Sequence, residues 1–409
     1  MRNAFVFVCA LIVGCGGFAA DWPQFRGPTA QGLYDGTPLP TEWGKSQNIA
    51  WRKPVAGLGW SSPVIAGGRV YLTTAVPDGH NQSLRAICLD AAKGSVIWDK
   101  QVFHQDGRTA PPIQAKNSHA SPTPLVRDGK LYIHFGHQGT ACLDLDGKIL
   151  WQNRELKYPP VHGNGGSPEL VDDVLIFSCD GSSEPFVAGL EAGTGKVRWK
   201  TPRTWDSFKK FAFCTPLVIE VNGKKQAVIP GAGGVAAYDP ADGKEIWKVL
   251  YDGYSNVPRP VFENGVVYVS TGYDSASLLA IRADGKGDVT ESNVAWKLRR
   301  AVPRNASPLL VNDELYLVSD DGQASCVDAK TGKVHWQERI PGAYSASPLY
   351  ANGLIYCFNE RGLTMVLKAS KTFEIVSKND LGERALASPA AADGALYLRT
   401  EKALYRIGK

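Results

Sequence analysis

With 409 residues, 44% apolar and 21% charged, the chain is neither disordered nor fibrous in composition, and it is long enough for two or three average domains. The formal net charge of +5 is small for this size, and Lys209-Lys210 and Arg299-Arg300 are isolated pairs rather than a basic run. That excludes a nucleic-acid face or a strongly cationic membrane face.

The first elements in chain order are a leader and a lead-in. Arg2, the apolar stretch Ala4 to Val13 and the small residues Gly16 to Ala20 make residues 1–20 an export signal peptide. Cleavage near Ala20 releases a soluble protein. The alternative is a lipoprotein signal ending at Gly14 with a lipid anchor on Cys15, because Ile12-Val13-Gly14-Cys15 loosely matches a lipobox. No later segment has eighteen unbroken apolar residues, so no transmembrane segment is expected in the mature chain. Residues 21–47 read as an extended lead-in and 48–409 as one array.

That array repeats about every 40 to 59 residues. The units open at Ser62-Pro63, Ser121-Pro122, Ser167-Pro168, Thr215-Pro216, Arg259-Pro260, Ser307-Pro308, Ser347-Pro348 and Ser388-Pro389. Most close on a glycine four residues before a tryptophan, as in Gly94/Trp98, Gly147/Trp151, Gly195/Trp199, Gly243/Trp247 and Gly332/Trp336. The unit from Ser307 to Trp336 reads as four short antiparallel strands with turns at Asn312-Asp313, Asp320-Asp321-Gly322 and Thr331-Gly332. Repeats of this kind predict an all-β, eight-bladed β-propeller. In blade 5 the last turn expands before Trp296, and in blade 7 Val376 is expected to stand in the tryptophan's place. Blade 8 lacks a fourth strand, and Asn48-Ile-Ala-Trp51-Arg precedes the first unit, so this N-terminal strand is expected to close the last blade and remove exposed edges.

Trp51, Trp98, Trp151, Trp199, Trp247, Trp296 and Trp336 are assigned to docking between blades, each worth roughly 3 kcal/mol of buried area. Asp90, Glu191, Asp239 and Asp328 precede the turns and are read as turn caps, with no metal site expected. Cys88, Cys142 and Cys326 recur at one strand position, which points to small buried side chains and free thiols.

The spacing Asp90-x3-Gly94-x3-Trp98, repeated at Asp239/Gly243/Trp247 and Asp328/Gly332/Trp336, resembles the tryptophan-docking motif of quinoprotein-type (PQQ-like) propellers. Asp21-Trp-Pro-Gln-Phe-Arg-Gly-Pro28 is similar to the start of exported PQQ-like repeat proteins. The superfamily includes PQQ-dependent alcohol dehydrogenases and BamB-type lipoproteins of outer-membrane assembly. The resemblance implies an exported, periplasmic or outer-membrane-associated monomer. In the BamB manner this is a non-catalytic scaffold for protein or peptide partners, with no cofactor. The alternative is a redox enzyme holding PQQ with calcium, or another small ligand, in the central channel. A Cys-Cys dipeptide, which in those dehydrogenases caps the quinone, is absent from the sequence, so the reading leans away from an enzyme. A sugar-binding module is a third reading.

Residues just before each inner strand should ring the channel mouth, and there the units differ. Trp60, His119, His162, Asn164, Asn256, Arg304, Asn305, Tyr344 and Arg384 form the expected ligand-binding rim, polar, aromatic and mildly cationic. Trp60 would stack and the two arginines would bind an anion. His119 and His162 lack an acidic partner at diagnostic spacing, so no catalytic residue is assigned.

Overall fold

Asn-Gly and Asp-Gly pairs set the hairpins of this molecule, a computed structural model describing residues 21–274 and 276–408. At Asn222-Gly223 the φ angles are 52° and 72°, and the same double left-handed turn recurs at Asn264-Gly265 and Asn352-Gly353. This geometry matches the twist of the strands it joins. The export signal expected over residues 1–20, with Cys15, lies outside the described residues.

The described strands assemble into eight sheets, each with a ladder of four antiparallel strands, and a fifth strand is added in two of them. The inner strands of blades 1 to 8 are Val64–Ala66, Leu125–Arg127, Glu169–Val171, Leu217–Val221, Val261–Glu263, Leu309–Val311, Leu349–Ala351 and Ala390–Ala392. The inner strands of blades 1 to 4 touch in series, as do those of blades 5 and 6, and Val64–Ala66 of blade 1 lies against Ala390–Ala392 of blade 8.

The way the ring closes corrects the expectation. Ile49–Pro54 pairs antiparallel with Ala403–Ile407 and makes blade 8 four-stranded. No sheet, however, closes on itself through hydrogen bonds: every blade is an open ladder that keeps its outer edge. The first described strand, Leu33–Tyr34, goes elsewhere, running parallel to Leu349–Ala351 on the inner edge of blade 7. Closure is therefore a matter of packing between blades rather than of a continuous ladder.

Two devices join the blades. The first is a chain of hydroxyl acceptors at the channel. The N–H of Ser62 donates to Thr123 Oγ1 at 3.0 Å, Thr123 to Ser167 at 2.9 Å, and Ser167 to Thr215 at 3.0 Å. The series resumes with Arg259 to Ser307, Ser307 to Ser347 and Ser347 to Ser388. Arg259 has no hydroxyl, so blade 4 has no such acceptor on blade 5. In blade 2 the equivalent residue is Thr123, not Ser121. Ser121 instead bonds Asn117 and Ser118 in the rim loop.

The second device explains the Gly-x3-Trp spacing. Trp51, Trp98, Trp151, Trp199 and Trp296 each lie on the glycine turn of the next blade: a Cβ on Gly195 would sit 2.4 Å from Trp151, and one on Gly243 2.4 Å from Trp199. Both glycines also have φ near +73°. The indole N–H then donates to a carbonyl of that turn, as Trp98 does to Leu145 at 2.9 Å, and Trp336 likewise donates to Ser370 at 2.9 Å in the glycine-free turn of blade 7. Trp247 departs from this because blade 5 carries the expanded turn; it is fully buried and donates to Gln226 of its own blade.

Blade 7 keeps the packing by a different route. Its register pairs Val366 with Ser377, so Ser377, not Val376, holds the tryptophan's place. Trp43 from the lead-in fills the gap. It stacks on Tyr356 with ring centroids 6.4 Å apart, as Trp336 packs on Tyr316, and its backbone N–H donates to Asn379 Oδ1 at 2.8 Å.

Candidate functional site at the channel mouth

The lead-in threads the channel and closes one end. Trp22 exchanges hydrogen bonds with Ile65 of blade 1, and Pro23 O accepts from Val126 of blade 2. Gln31 Oε1 accepts from Phe262 of blade 5, and Gly32 O accepts from Tyr350 of blade 7. Phe25 faces the open end, with its carbonyl held by Arg259 Nη1 at 2.9 Å.

Charge is concentrated in this plug. Arg259 pairs with Glu169 inside the channel, and burial pushes the Glu169 carboxyl up against the pull of Arg259. Arg26 is 2% exposed, and none of its guanidinium nitrogens has a hydrogen-bond partner among the described residues. Burial first, and Arg259 second, push its pKa down to about 9. Two guanidinium groups against one carboxylate leave a positive field beneath Phe25 that favours an anion above it.

Above Phe25 opens a cavity of about 530 Å³. One wall is a run of rings from successive blades. His162 meets Phe211 edge-on at 5.4 Å, Phe211 meets Tyr254 at 5.6 Å, and Tyr254 meets Tyr273 at 6.2 Å. Lys209 Nζ lies 4.2 Å over the Tyr254 ring and 3.0 Å from its hydroxyl, and Arg304 lies over Tyr273 at 5.1 Å. Opposite, Lys116 pairs with Glu360 at 2.6 Å. The only carboxylate among the lining residues is Asp320, which accepts from the N–H groups of Arg304 and Asn305 and from Asn305 Nδ2.

Of the nine rim residues expected from sequence, Trp60, His162, Arg304 and Asn305 line this cavity. The other five support it or lie aside. Arg384 covers the Trp60 ring at 5.4 Å and donates to Ala115 O, tying blade 8 to a loop of blade 2. Asn164 is buried in bonds to Tyr158 and His137. Asn256 is fully buried, donating to Tyr251 and to Ser270 O, and Tyr344 donates to Pro341 O. His119 is half-buried, and burial holds its pKa low. The glycines near Asn164 serve close packing: a Cβ on Gly165 would meet Phe213 at 2.9 Å. Phe25, Lys116, Lys209, Phe211, Tyr254 and Tyr273 are the lining residues that the sequence reading passed over. Phe211 and Tyr254 lay within two residues of positions already singled out, but only the fold brings them together.

A separate cluster could hold a metal. Ligand atoms of Glu314, Asp328 and His335 lie within 4.8 Å of one another. Asp328 also caps its turn as expected, its Oδ1 accepting from the N–H and hydroxyl of Thr331. No helix among the described residues is long and apolar enough to cross a membrane.

Comparison with known proteins places this architecture. The family model described as "Outer membrane protein assembly factor BamB" matches residues 43–208, 187–346 and 288–372. BamB of Moranella endobia (strain PCIT) is 25% identical over 293 residues, 69% of this chain and 66% of that protein. Methanol dehydrogenase [cytochrome c] subunit 1 of Methylorubrum extorquens is 32% identical over 154 residues, 32% of this chain and 23% of that protein. The chain thus spans less than two thirds of the length of these curated relatives. The crystal structure of quinohemoprotein alcohol dehydrogenase from Comamonas testosteroni superposes with a TM-score of 0.68 at 13% identity, over 95% of this chain and 81% of that one, which shows the shared fold.

These findings correct the expectation of a protein that is not an enzyme. Dehydrogenases stand among the relatives beside BamB, and the chain carries a metal-capable cluster, so enzymatic activity is at least as well supported as scaffolding. The chain is related both to BamB scaffolds and to quinoprotein dehydrogenases, with the periplasmic, outer-membrane-associated setting of the former. With the model covering most of its length, the chain belongs to the PQQ-like propeller family of BamB-type outer-membrane assembly factors.

Proposed function

We propose that the channel mouth binds a flat, anionic small molecule and that the protein is a redox enzyme using it, a quinone of the PQQ class being the chemistry that fits. The observation that carries this reading is the aromatic wall from His162 to Tyr273, flanked by Lys116, Lys209 and Arg304 and floored by Phe25 over a buried positive field. Rings offer stacking to a planar ligand, and the cations suit its carboxylates. Such a quinone, when bound, supplies two-electron acceptor chemistry, while the protein orients it and excludes water.

The fit is to the ring and not to calcium. The six described cysteines are buried in the blades and none lines the mouth. Asp320 and Glu360 are already engaged by donors, Glu360 by Lys116 and Ser345, which leaves no free carboxylate there for a divalent ion. Titration of the purified chain with PQQ, followed by tryptophan fluorescence and melting temperature, tests this. Saturable binding that needs no calcium is expected, about tenfold weaker in Lys209→Ala; absence of binding at millimolar PQQ sinks it.

A protein partner is the second reading, supported by the family and by Phe208. That side chain is 97% exposed on a loop anchored by Trp205, whose indole donates to Ala232 O at 2.7 Å. An exposed aromatic on a tethered loop suits an interface anchor. A photo-crosslinker at position 208 should capture an envelope protein in cells, and an empty lane at 208 counts against it.

A further inference from the structure

We propose that Glu314, Asp328 and His335 bind a transition-metal dication of the zinc type at the end of blade 6 remote from the channel mouth. Glu314 and Asp328 face each other across the second and third strands, Glu314–Val318 and Gln323–Asp328. His335 enters from the fourth, Val334–Arg339, beside a register shift that re-aims its neighbours. The strand starting at Glu314 runs toward Asp320 at the mouth, and six residues at about 3.3 Å each separate the two sites by about 20 Å. This metal site is therefore distinct from the channel ligand and does not depend on it.

The donors of the three side chains converge on one point. His335 Nε2 lies 2.8 Å from Glu314 Oε2, yet that nitrogen is covered from solvent and has no aligned hydrogen bond. A nitrogen lone pair and a carboxylate oxygen side by side are how two ligands meet on one cation. Glu314 is 5% exposed, and Cys326 Sγ stands 3.7 Å from its Oε2. An imidazole with two carboxylates, and a thiol next to them, selects zinc-type ions over calcium or magnesium, which take all-oxygen sets. Two donor atoms on one tetrahedral zinc at about 2.1 Å each lie about 3.4 Å apart, so donors within 4.8 Å of one another close by at most about 1.4 Å on binding.

Other blades do not repeat the arrangement. Arg69 or Lys130 occupies the place of Glu314, and Ile97 or Leu150 that of His335. A cation is already drawn to the cluster: Lys371, from the next blade, sets its ammonium 2.9 Å from Glu314 Oε1. Its side chain is 63% exposed, so it can swing away. Lys330 is engaged elsewhere, by Asp313. With zinc bound, the ammonium and the ion compete for the same carboxylate.

Isothermal titration of the untagged full-length chain with zinc chloride tests this, with calcium chloride as control. One equivalent of zinc and no calcium heat are expected, with affinity at least tenfold weaker in His335→Ala and several-fold stronger in Lys371→Met. Melting in EDTA verifies that the variants fold, and Lys371→Met, being an exposed change, remains informative if the histidine variant does not. Absence of saturable zinc binding by the Lys371→Met chain, or zinc affinity indifferent to His335→Ala, overturns the proposal.

Discussion

Glycine decides where the tryptophans sit. Gly195 has φ +74° and its Cβ would meet Trp151 at 2.4 Å, so Gly195→Ala pays both backbone strain and a displaced indole. We expect a loss of about 2–3 kcal/mol in urea unfolding, against less than about 0.5 kcal/mol for Gly193→Ala, whose Cβ meets nothing within 4 Å. At the same scale, His134 is buried against Phe177, with ring centroids 4.3 Å apart and Nδ1 2.9 Å from Thr140 Oγ1. Burial, and then His137, push its pKa down to about 3, below the ordinary value near 6.5. The unfolded chain thus binds the extra proton between those values, and stability falls as pH drops below 6.5. Between pH 6.5 and 5 the loss through this residue is about 2 kcal/mol. Urea midpoints at pH 7 and 5 should converge in His134→Gln, and an unchanged pH dependence counts against the assignment.

Individual strands and turns carry what was and was not legible in the sequence. Repeated Ser-Pro, Asn-Gly and Gly-x3-Trp patterns are local, and they sufficed for eight blades. Where two local readings compete, only the register decides. Ser121-Pro122-Thr123-Pro124 offers two starts, and the hydrogen bond from Ser62 selects Thr123. In blade 7 a longer last turn shifts the fourth strand by one, so Ser377 replaces Val376. Nothing near Trp43 announces that it serves blade 7, more than 300 residues away. That contact is tertiary. Trp43→Ala should cost about 3–5 kcal/mol by removing a buried indole from Tyr356, and should make residues 41–47 sensitive to protease. A change below about 1 kcal/mol in chemical unfolding contradicts the role.

Across the whole molecule, the lead-in converts a ring with a hole into a cup. Its Trp22, Phe25 and Gly32 contacts reach blades 1, 5 and 7, so one end of the channel is sealed and the other faces solvent. The candidate site inherits this asymmetry. Four of nine rim residues could be picked from sequence because the rim precedes each inner strand; the floor and the aromatic wall could not, since Phe25 and Phe211 join only when the ring forms. Blades 4 and 5 meet without the hydroxyl acceptor used at six other seams, because Arg259 stands there and reaches for Glu169 and Phe25 instead. Amide exchange should accordingly report Thr215 N–H as less protected than Ser167 N–H, which donates to Thr215 at 3.0 Å. Equal protection at the two sites removes that seam from the account.

The most direct measurement of the central claim is a crystal structure of the chain soaked with PQQ. The account predicts a planar density on Phe25, against Phe211 and Tyr254, with carboxylates toward Lys209 and Arg304. A fully occupied soak with the mouth empty, or the quinone bound elsewhere on the propeller, contradicts it.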